Sequence, residues 1–410
     1  IRGIRVTSSN DNMITGNNMI TVIGISLYSS FNNTIMGNKI QTPREDKLFA
    51  GIYADSSSNF NIIKRNILNR IHWGACLHSS YNIVLGNSIK NGDIGISIQA
   101  EGTHNDIVYN NIINCEWYGI HVFGTNNRIY NNNLFNSSVV AGEGTNTWDN
   151  GYPSGGNYYS NYNGTDNYSG PEQNIPGADG IGDSPYIINE YNIDNYPLMR
   201  PYTSTIVVPD DYSVIQDAID AAIDGDTIYV KAGVYYEHLV INKSIQLIGE
   251  NAETTIINGN GTGPIIKIDY PTIGCTIQNL TITGAIYQAP IENQYGILAY
   301  ADVQICNCII SNNDIGIEIT LVYANISNCT IYNNIKGISL AGGNTNIENN
   351  TLDNNKHGIV IVVPDVVATI KHNVFRNNEF GLQFSTWIDQ VVKEGILFEN
   401  AYAEYPITCL

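Results

Sequence analysis

Carboxylates are the first residues of this chain whose type and spacing could do chemistry. Asp149, Asp166, Asp179 and Asp183 lie within one stretch rich in Gly, Asn and Tyr, and carboxylate oxygens are the hard ligands that calcium prefers. Asp and Asn also form tight turns without a bound ion. Calcium binding and ion-free turns are therefore both open for this stretch.

Two aromatic residues could bind a sugar ring. Trp73 and Tyr118 each come directly before a glycine of a repeated pattern, and Ile94 holds the equivalent position between them. Aromatic faces can stack on the apolar surface of a pyranose ring. The alternative is that both rings only pack the corners of the fold, so polysaccharide binding is a hypothesis for these two residues.

Cysteines and glycosylation motifs offer covalent chemistry. Among the seven cysteines, Cys308 and Cys329 are twenty-one residues apart, so they could form a disulfide or stack as two small apolar thiols. Asn-x-Ser/Thr motifs are acceptors for N-linked sugar in a secreted chain, although an Asn- and Thr-rich sequence also produces them by chance. The candidate acceptors are Asn32, Asn136, Asn163, Asn167, Asn242 and Asn260.

A repeat of about twenty-one residues predicts the elements that position these groups. After each repeated glycine, apolar residues fall on alternate positions, as Ile96 and Ile98 do, which is the pattern of a short strand. A chain of short strands that returns to the same register forms a solenoid of parallel strands, each coil rising by roughly 4.8 Å. The repeated glycines are Gly3, Gly24, Gly51, Gly74, Gly95 and Gly119 and, after a break, Gly296, Gly316, Gly337, Gly358 and Gly381.

Asparagines follow the same step. A side-chain amide has two donor hydrogens and an acceptor oxygen, so it can bond to its copies one coil above and one below. The sequence therefore predicts stacked asparagines at the corners. They are Asn17, Asn38, Asn66, Asn87, Asn110 and Asn131 in the first part, and Asn312-Asn313, Asn333-Asn334, Asn354-Asn355 and Asn377-Asn378 in the second.

The repeat divides the chain into three parts. We expect an all-β protein with two right-handed parallel β-helix segments, at 1–138 and 203–410, joined by an irregular capping segment at 139–202. One short helix at 213–223 should cover the start of the second segment. Ser213 followed by Gln216 indicates a capping box, and Ile215, Ala218, Ile219 and Ala222 form its apolar stripe.

Composition excludes several partners. The formal net charge is −19, with only 19 Lys and Arg residues, so nucleic acid and anionic membrane surfaces are poor partners. The longest apolar stretch, near 359–367, contains Pro364 and Asp365 and is too short to span a bilayer. Polar positions carry Asn, Ser, Thr, Gly and Tyr in place of charges, which is typical of secreted and cell-surface proteins.

The helix and strands of 206–259, the segment 148–199 and the repeats together resemble the right-handed parallel β-helix proteins of the pectin-lyase-like superfamily, in particular the NosD-like repeat proteins of archaeal cell surfaces. The resemblance implies a fold that hosts lyases, esterases, binding modules and structural proteins alike. The NosD name implies copper, which needs clustered His, Met or Cys, whereas the seven histidines hold non-equivalent positions.

Catalytic groups on such a scaffold would occupy outward positions of adjacent coils. That column contains Ser26, Tyr53, Cys76, Ser97 and His121 in the first part, and no two carboxylates are neighbours in it, although glycoside cleavage uses a pair. We therefore expect a non-catalytic extracellular structural protein of the cell envelope that self-associates, has no required cofactor and could bind polysaccharide. The rival hypothesis is a polysaccharide lyase or glycoside hydrolase.

Overall fold

The chain forms two compact units, Ile1–Tyr202 and Thr203–Leu410. The structure, a computed structural model, describes residues 2–21, 23–41, 50–270, 272, 274–286, 294–363 and 366–384, and the backbone of the strands at 391–394 and 397–399. The irregular stretch predicted at 139–202 lies within the first unit. Both units are built of parallel coils, which confirms the predicted fold class.

Each coil of the first unit contributes short strands separated by sharp corners. The strands are β1 (Arg2–Thr7), β2 (Met13–Thr15), β3 (Asn18–Ile20), β4 (Ile23–Tyr28), β5 (Thr34–Met36), β6 (Lys39–Gln41), β7 (Ala50–Ala54), β8 (Ile62–Lys64), β9 (Ile67–Asn69), β10 (Trp73–Leu77), β11 (Ile83–Leu85), β12 (Ser88–Lys90), β13 (Ile94–Ile98), β14 (Asp106–Val108), β15 (Asn111–Ile113), β16 (Tyr118–Val122), β17 (Arg128–Tyr130), β18 (Asn133–Phe135), β19 (Val139–Ala141), β20 (Tyr158–Tyr159), β21 (Tyr168–Ser169), β22 (Ile175–Pro176), β23 (Tyr186–Asn189) and β24 (Asn192–Asp194).

Three parallel sheets run along this unit. The first has the order β1-β4-β7-β10-β13-β16-β19, the second β2-β5-β8-β11-β14-β17 and the third β3-β6-β9-β12-β15-β18-β20. Parallel pairing thus continues beyond the predicted boundary at 138, because β19 and β20 still join their sheets. Alternate residues such as Ile96 and Ile98 point inward and are fully buried, so every coil adds apolar side chains to one continuous core.

Two ladders of asparagines, buried except for the half-buried Asn12 and Asn17 at their start, hold the corners of the first unit. At each rung the main-chain N–H and the side-chain Nδ2 of one residue both donate to the Oδ1 of its copy in the next coil. Asn87, for example, donates both bonds to Asn110 at 2.9 Å. The first ladder is Asn12, Asn33, Asn61, Asn82, Asn105, Asn127, Asn146 and Asn192, and the second is Asn17, Asn38, Asn66, Asn87, Asn110, Asn132, Asn157 and Asp194.

The predicted rung Asn131 is wrong by one residue. Asn132 occupies the ladder, whereas Asn131 has a φ of 55° and makes the turn before it. The same division explains the paired asparagines of the second unit, because the first of each pair turns the chain in the left-handed region and the second is buried.

The antiparallel hairpin β23–β24 ends both ladders. Asn192 accepts the last bonds of the first ladder from Asn146, and it also accepts a bond from Trp148 Nε1 at 2.9 Å. Two residues later, Asp194 accepts the last bonds of the second ladder from Asn157. A terminal rung needs only to accept, so a carboxylate suits the final position.

The second unit repeats the coil architecture and contains a single helix among its described residues, α1 (Ile215–Ala221). Its strands are β25 (Thr205–Val208), β26 (Thr227–Val230), β27 (Gly233–Tyr235), β28 (Leu239–Ile241), β29 (Gln246–Gly249), β30 (Thr255–Asn258), β31 (Ile266–Ile268), β32 (Cys275–Gln278), β33 (Thr281–Thr283), β34 (Tyr295–Ala299), β35 (Val303–Cys306), β36 (Ile309–Ser311), β37 (Ile315–Ile319), β38 (Val322–Ser327), β39 (Thr330–Tyr332), β40 (Lys336–Leu340), β41 (Gly343–Glu348), β42 (Thr351–Asp353), β43 (His357–Ile361), β44 (Val366–Lys371), β45 (Val374–Arg376), β46 (Phe380–Phe384), β47 (Val391–Glu394) and β48 (Leu397–Glu399).

Its three sheets have nine, eight and seven strands and begin with β25, β27 and β28. Cys308 and Cys329 lie in the column that Asn350 and Asn373 continue, and both are free thiols. The disulfide alternative is therefore wrong for this structure. Cys329 Sγ lies 3.3 Å from the oxygen of Ser327, so the thiol faces a carbonyl as the amide does elsewhere. Burial raises the pKa of Cys308, and Cys409 lies outside the described residues.

The capping helix is shorter than the predicted 213–223, and its N-terminus differs from the prediction. Val214 is the N-cap residue and makes no side-chain bond, so the capping box at Ser213 is wrong. The two oxygens of Glu237, from the following coil, instead accept the N–H groups of Ile215 and Gln216, each at 2.9 Å. A carboxylate that accepts two main-chain bonds complements the positive end of the helix better than one hydroxyl does.

At the other end of the helix, Lys243 Nζ donates to the carbonyl oxygens of Ile219, Asp220 and Ala222 at 2.6 to 2.8 Å. The apolar stripe is buried as predicted and contacts β25, β26 and β28. Charged side chains of the neighbouring coil thus fix both ends of this short helix over the first strands of the unit.

Replacing Glu237 by Gln is expected to destabilise the helix by about 1 kcal/mol, because one amide oxygen replaces two carboxylate acceptors. Hydrogen–deuterium exchange of residues 214–222 in the full chain should quicken. The exposed Glu253 gives the matched control, and Glu253→Gln should leave exchange in the helix unchanged. Equal exchange in both variants would contradict the capping role of Glu237.

Candidate functional site

The candidate site is the outward side of the first sheet of the first unit, across β7, β10, β13 and β16. We call this surface the aromatic face. It is defined by Tyr53, Asp55, His72, Trp73, His78, Asp93, Ser97, Gln99, Glu101, Trp117, Tyr118, His121 and Phe123.

The register of the paired strands determines which side chains of neighbouring coils lie next to one another on this face. Trp73 pairs with Ile94, and Ile94 pairs with Tyr118, so the two predicted sugar-binding residues lie two rungs apart in one row. Each is followed by a glycine because the next coil passes very close. A Cβ on Gly95, in the same column, would lie 2.5 Å from the oxygen of Gly119 and 2.7 Å from a methyl group of Ile112.

A cluster of two indoles and an imidazole forms one edge of the face. The His72 ring stacks on Trp73 with centroids 5.0 Å apart and meets Trp117 edge-on at 5.4 Å. His72 Nδ1 lies 2.5 Å from a carboxylate oxygen of Asp93, which fixes the imidazole. Trp117 is 52% exposed. The Nε1 of Trp73 is buried and has no hydrogen-bond partner among the described residues.

The centre of the face contains a serine–histidine pair. Ser97 Oγ lies 3.3 Å from Nδ1 of His121 and accepts a bond from Gln99 Nε2 at 2.8 Å. The His121 ring stacks on Tyr118 at 5.4 Å and meets Phe123 edge-on at 4.4 Å. Burial lowers the pKa of His121, so its imidazole is neutral at pH 7. This pair is of the type that activates a nucleophile, but Ser97 is fully buried.

Tyrosine and histidine rings form the other edge. Tyr28 and Tyr53 have centroids 5.6 Å apart, and Tyr53 and His78 have centroids 5.5 Å apart. Nδ1 of His78 lies 3.7 Å from the carboxylate of Glu101, whose side chain is 63% exposed. Burial raises the pKa of Tyr53, with smaller contributions from neighbouring groups. Its phenol therefore stays neutral.

The outward column that the sequence indicated is less accessible than expected. Cys76, Ser97 and Ser26 align as predicted but are buried, because larger side chains such as Tyr53 and His121 stand on the adjoining rungs. His72, Asp93 and Trp117 were missed, since they meet only where the corner backbone of different coils brings them together. In the sequence, the adjacent aromatic pairs His72-Trp73 and Trp117-Tyr118 were the only indication of this cluster.

The four predicted calcium ligands bond mainly to main-chain N–H groups. Asp166 accepts bonds from the N–H groups of Asp179 and Gly180, each at 3.0 Å. Asp183 accepts bonds from Asn167 and Tyr168, and Asp149 from Gly151 and Asn195, while Asp179 accepts one from Ile181. Within the described ranges, no group of three His, Cys, Asp or Glu side chains could hold a metal ion. Calcium binding stays a prediction without a geometric site.

All six candidate glycosylation sites have exposed side chains. Asn32 and Asn136 turn the chain with positive φ, and Asn163 and Asn167 lie in the irregular part of the first unit. Asn242 and Asn260 belong to the second unit. These exposed side chains could accept an N-linked sugar, and glycosylation at these sites stays a prediction.

Two family models match the sequence. The model described as periplasmic copper-binding protein (NosD) matches residues 2–164, and the model described as right handed beta helix region matches residues 242–400. No curated protein matches the chain.

Several solved structures are similar to the chain at low identity. Escherichia coli YbhC is 15% identical over 48% of this chain and 72% of its own, with a TM-score of 0.38. A pectin methylesterase from Aspergillus niger is 15% identical over 49% and 87%, with a TM-score of 0.34. The PL6 family alginate lyase AlyGC is 14% identical over 98% and 76%, with a TM-score of 0.27.

The copper in the description of the matched family has no matching ligand set in the part of the chain that the structure describes, where His, Cys, Asp and Glu do not gather in threes. No helix among the same residues combines the length and the apolar character that crossing a membrane takes. The parallel coils, the two ladders and the two matching models agree on one conclusion. The chain is a right-handed parallel β-helix protein, and residues 2–164 of its first unit are similar to the NosD family.

Proposed function

We propose that the protein is a non-catalytic, extracellular structural protein of the cell envelope that binds polysaccharide through the aromatic face. The observation that carries this proposal is the arrangement of exposed aromatic rings beside fixed polar groups. Trp117 and Phe123 are 52% and 50% exposed, while His72 and Ser97 are held by internal bonds.

Such a surface suits a sugar chain. Aromatic rings stack on pyranose rings, and neighbouring polar groups bond to the hydroxyls. Trp73 and Tyr118 are two rungs apart, roughly 10 Å, so one extended glycan running along the rungs could contact both. Strand pairing fixes the backbone at these positions, and stacking on His72 and His121 holds the rings of Trp73 and Tyr118, so little freedom remains to be lost on binding.

Three groups of the face that could take part in catalysis are engaged within the protein. Ser97 is buried and Asp93 bonds to His72. Asp55 accepts bonds from the N–H groups of Ser29 and Ser57 and from the hydroxyl of Ser58. Glycoside cleavage takes two free carboxylates on opposite sides of one bond, whereas Asp55 holds a turn and Asp93 holds the His72 ring. The envelope role also includes self-association of the chain, which sedimentation analysis over a range of concentrations would test.

Replacing Trp117 by Ala is expected to weaken polysaccharide binding about tenfold, the effect of losing one aromatic contact of about 1 to 1.5 kcal/mol. Affinity electrophoresis and calorimetry with a panel of soluble neutral and acidic polysaccharides measure it. Tyr236 is 68% exposed in the second unit, so Tyr236→Ala is the matched control and should bind normally.

The same panel tests the absence of catalysis. We expect no new reducing ends and no unsaturated products after long incubation, with or without calcium. Robust turnover would overturn the non-catalytic role in favour of a lyase or hydrolase. A wild-type chain that binds nothing in the panel would overturn the polysaccharide role.

A further inference from the structure

We infer that the second unit contains a separate binding site for a short, uncharged sugar. The site is a cavity of about 420 Å³ at the corner between the sheet that begins with β25 and the sheet that begins with β27. This volume is within the range of small-molecule sites. The cavity belongs to a different unit from the aromatic face, so the inference goes beyond the proposed function.

A long corner forms one wall of this cavity. The chain uses five residues, 250–254, between β29 and β30, but only two between β32 and β33, between β35 and β36, and between β38 and β39. The long corner is held by bonds of its own. Asn251 Oδ1 accepts the N–H of Glu253 at 2.8 Å, and Thr281 Oγ1 donates to the oxygen of Ala252 at 2.5 Å. The wall is therefore formed before any ligand arrives.

Three asparagines of consecutive short corners also line the cavity. Asn279, Asn307 and Asn328 are aligned by the strand register one coil apart, about 4.8 Å at each step. Each has a φ of 53 to 56°, and each main-chain N–H donates to the next coil. Their side-chain amides bond to no other residue in the part of the chain that the structure describes. Three fixed amides, each with two donor hydrogens and an acceptor oxygen, are therefore available to a ligand.

Another corner of the same unit provides a comparison. Asn333 and Asn354 precede buried asparagines there, as Asn307 and Asn328 precede buried cysteines at the cavity, and their φ values are 56° and 52°. Asn354 Nδ2 donates to Asn333 Oδ1 at 2.6 Å. The same residue type in the same conformation thus bonds between coils at one corner and leaves its amides open at the cavity. The preference of asparagine for such turns explains both columns, but not this difference.

The hydrogen-bonding groups of the cavity favour a sugar over an ion or a peptide. The described lining contains no Lys, Arg or aromatic residue. Of its two acids, Glu250 already accepts the N–H of Ala232 at 2.7 Å and interacts with the charge of Lys231. The strands on both sides are paired with their neighbours, which leaves no open edge for a peptide. The amides and the hydroxyl of Thr330 suit sugar hydroxyls, which both donate and accept.

Short neutral sugars test this inference on the full chain. Cellobiose, maltose and lactose are titrated separately, and binding is followed by ligand-observed NMR. We expect at least one of them to bind with a Kd on the order of 1 mM, because bonds to water are exchanged for bonds of similar strength and no ring stacks on the ligand. Trp117→Ala, which alters only the aromatic face, should leave this affinity within about twofold.

Two matched double variants locate the site. Asn307→Gly with Asn328→Gly removes two amides of the cavity and keeps the left-handed backbone, which glycine adopts without strain. We expect it to weaken binding about tenfold, the effect of losing two hydrogen bonds. Asn333→Gly with Asn354→Gly makes the same change at the other corner and should leave binding within about twofold. Circular dichroism checks folding, and Asn307→Gly alone, with about a threefold loss expected, replaces a pair that does not fold.

The outcomes separate this inference from the proposed function. Equal losses in the two double variants, or binding that only Trp117→Ala removes, would overturn the cavity site and leave polysaccharide binding by the aromatic face standing. Binding of polysaccharides but of none of the three sugars would do the same. Sugar binding that the cavity pair alone weakens, in a chain that binds no polysaccharide, would support the cavity site and overturn the proposed function.

Discussion

Replacing Asp194 by Ala is expected to lower the free energy of unfolding of the first unit by about 3 to 6 kcal/mol at about pH 4, where the contribution of this residue is fully present. The carboxylate accepts bonds from the N–H of Asn157 at 2.7 Å, the N–H of Tyr196 at 3.1 Å and the hydroxyl of Tyr159 at 3.2 Å. All three donors would lose their acceptor in a site that excludes water. The loss should appear in calorimetry and as faster hydrogen exchange in residues 186–194.

The matched control lies in the same hairpin. Glu190 is exposed in the turn between β23 and β24, so Glu190→Ala removes a carboxylate from the same element without touching either ladder. We expect it to change stability by less than about 0.5 kcal/mol. Similar losses in both variants would mean that Asp194 does not end the ladder in the way described.

Asp194 should also make the first unit sensitive to pH. Burial raises its pKa to about 7, against about 3.9 in an unfolded chain. The folded state therefore holds this proton more tightly than the unfolded state does. This contribution is fully present below about pH 4 and is lost as pH rises to about 7, a change of ~4 kcal/mol.

Several groups surround this carboxyl. The Tyr159 ring stacks on Tyr186 at 3.8 Å, and burial raises the pKa of Tyr159, so the Tyr159 phenol is uncharged across this range. Asp149 is the charged neighbour, and it raises the pKa of Asp194 further. Asp194→Asn keeps the shape of the side chain and removes its titratable proton. The decrease in melting temperature between pH 4 and 7 should therefore be smaller in this variant. An unchanged slope would contradict the assignment.

Replacing Asn87 by Ala in the middle of the second ladder should cost about 2 to 4 kcal/mol. The Oδ1 of Asn87 accepts the N–H and the Nδ2 of Asn66, each at 2.9 Å, and its own Nδ2 donates to the oxygen of Ile63 at 2.9 Å. These buried partners lose bonds that no other side chain can supply. Chemical denaturation monitored by circular dichroism measures the change.

Asn69 provides the comparison for this variant. Asn69 belongs to the adjoining coil, and its Oδ1 accepts a bond from Asn91 Nδ2 at 3.1 Å that is exposed to solvent. Asn69→Ala should alter stability by less than about 0.5 kcal/mol. If Asn69→Ala and Asn87→Ala cost the same, burial of the ladder would not be the source of its stabilising effect.

The ladders show what the sequence could predict. A fixed step in the sequence sets the register of stacked coils, so the bond between Asn87 and Asn110 followed from spacing alone. The ends of the ladders did not follow, because Asn192 is 46 residues beyond Asn146 and Asp194 is 37 beyond Asn157. Neither distance is near the repeat, so periodicity carries no information about them.

Contacts between coils explain the other errors. The start of the helix was assigned from Ser213 and Gln216, neighbours in sequence, whereas the acceptor is Glu237 from the following coil. In the aromatic face, Trp73 and Tyr118 were found from their position before a glycine. His72 and Trp117 were not, because their contact depends on the path of two separate corners.

Each ladder of the first unit has a direction, because every asparagine amide donates to its copy in the following coil and only the last residue does not. The contacts within one coil do not determine how many coils the ladder contains. Duplicating or deleting the gene segment that encodes one whole coil would keep donors opposite acceptors, whereas inserting a single residue would not. Proteins of this kind can therefore change length over evolution by copying, provided that the terminal acceptors stay last.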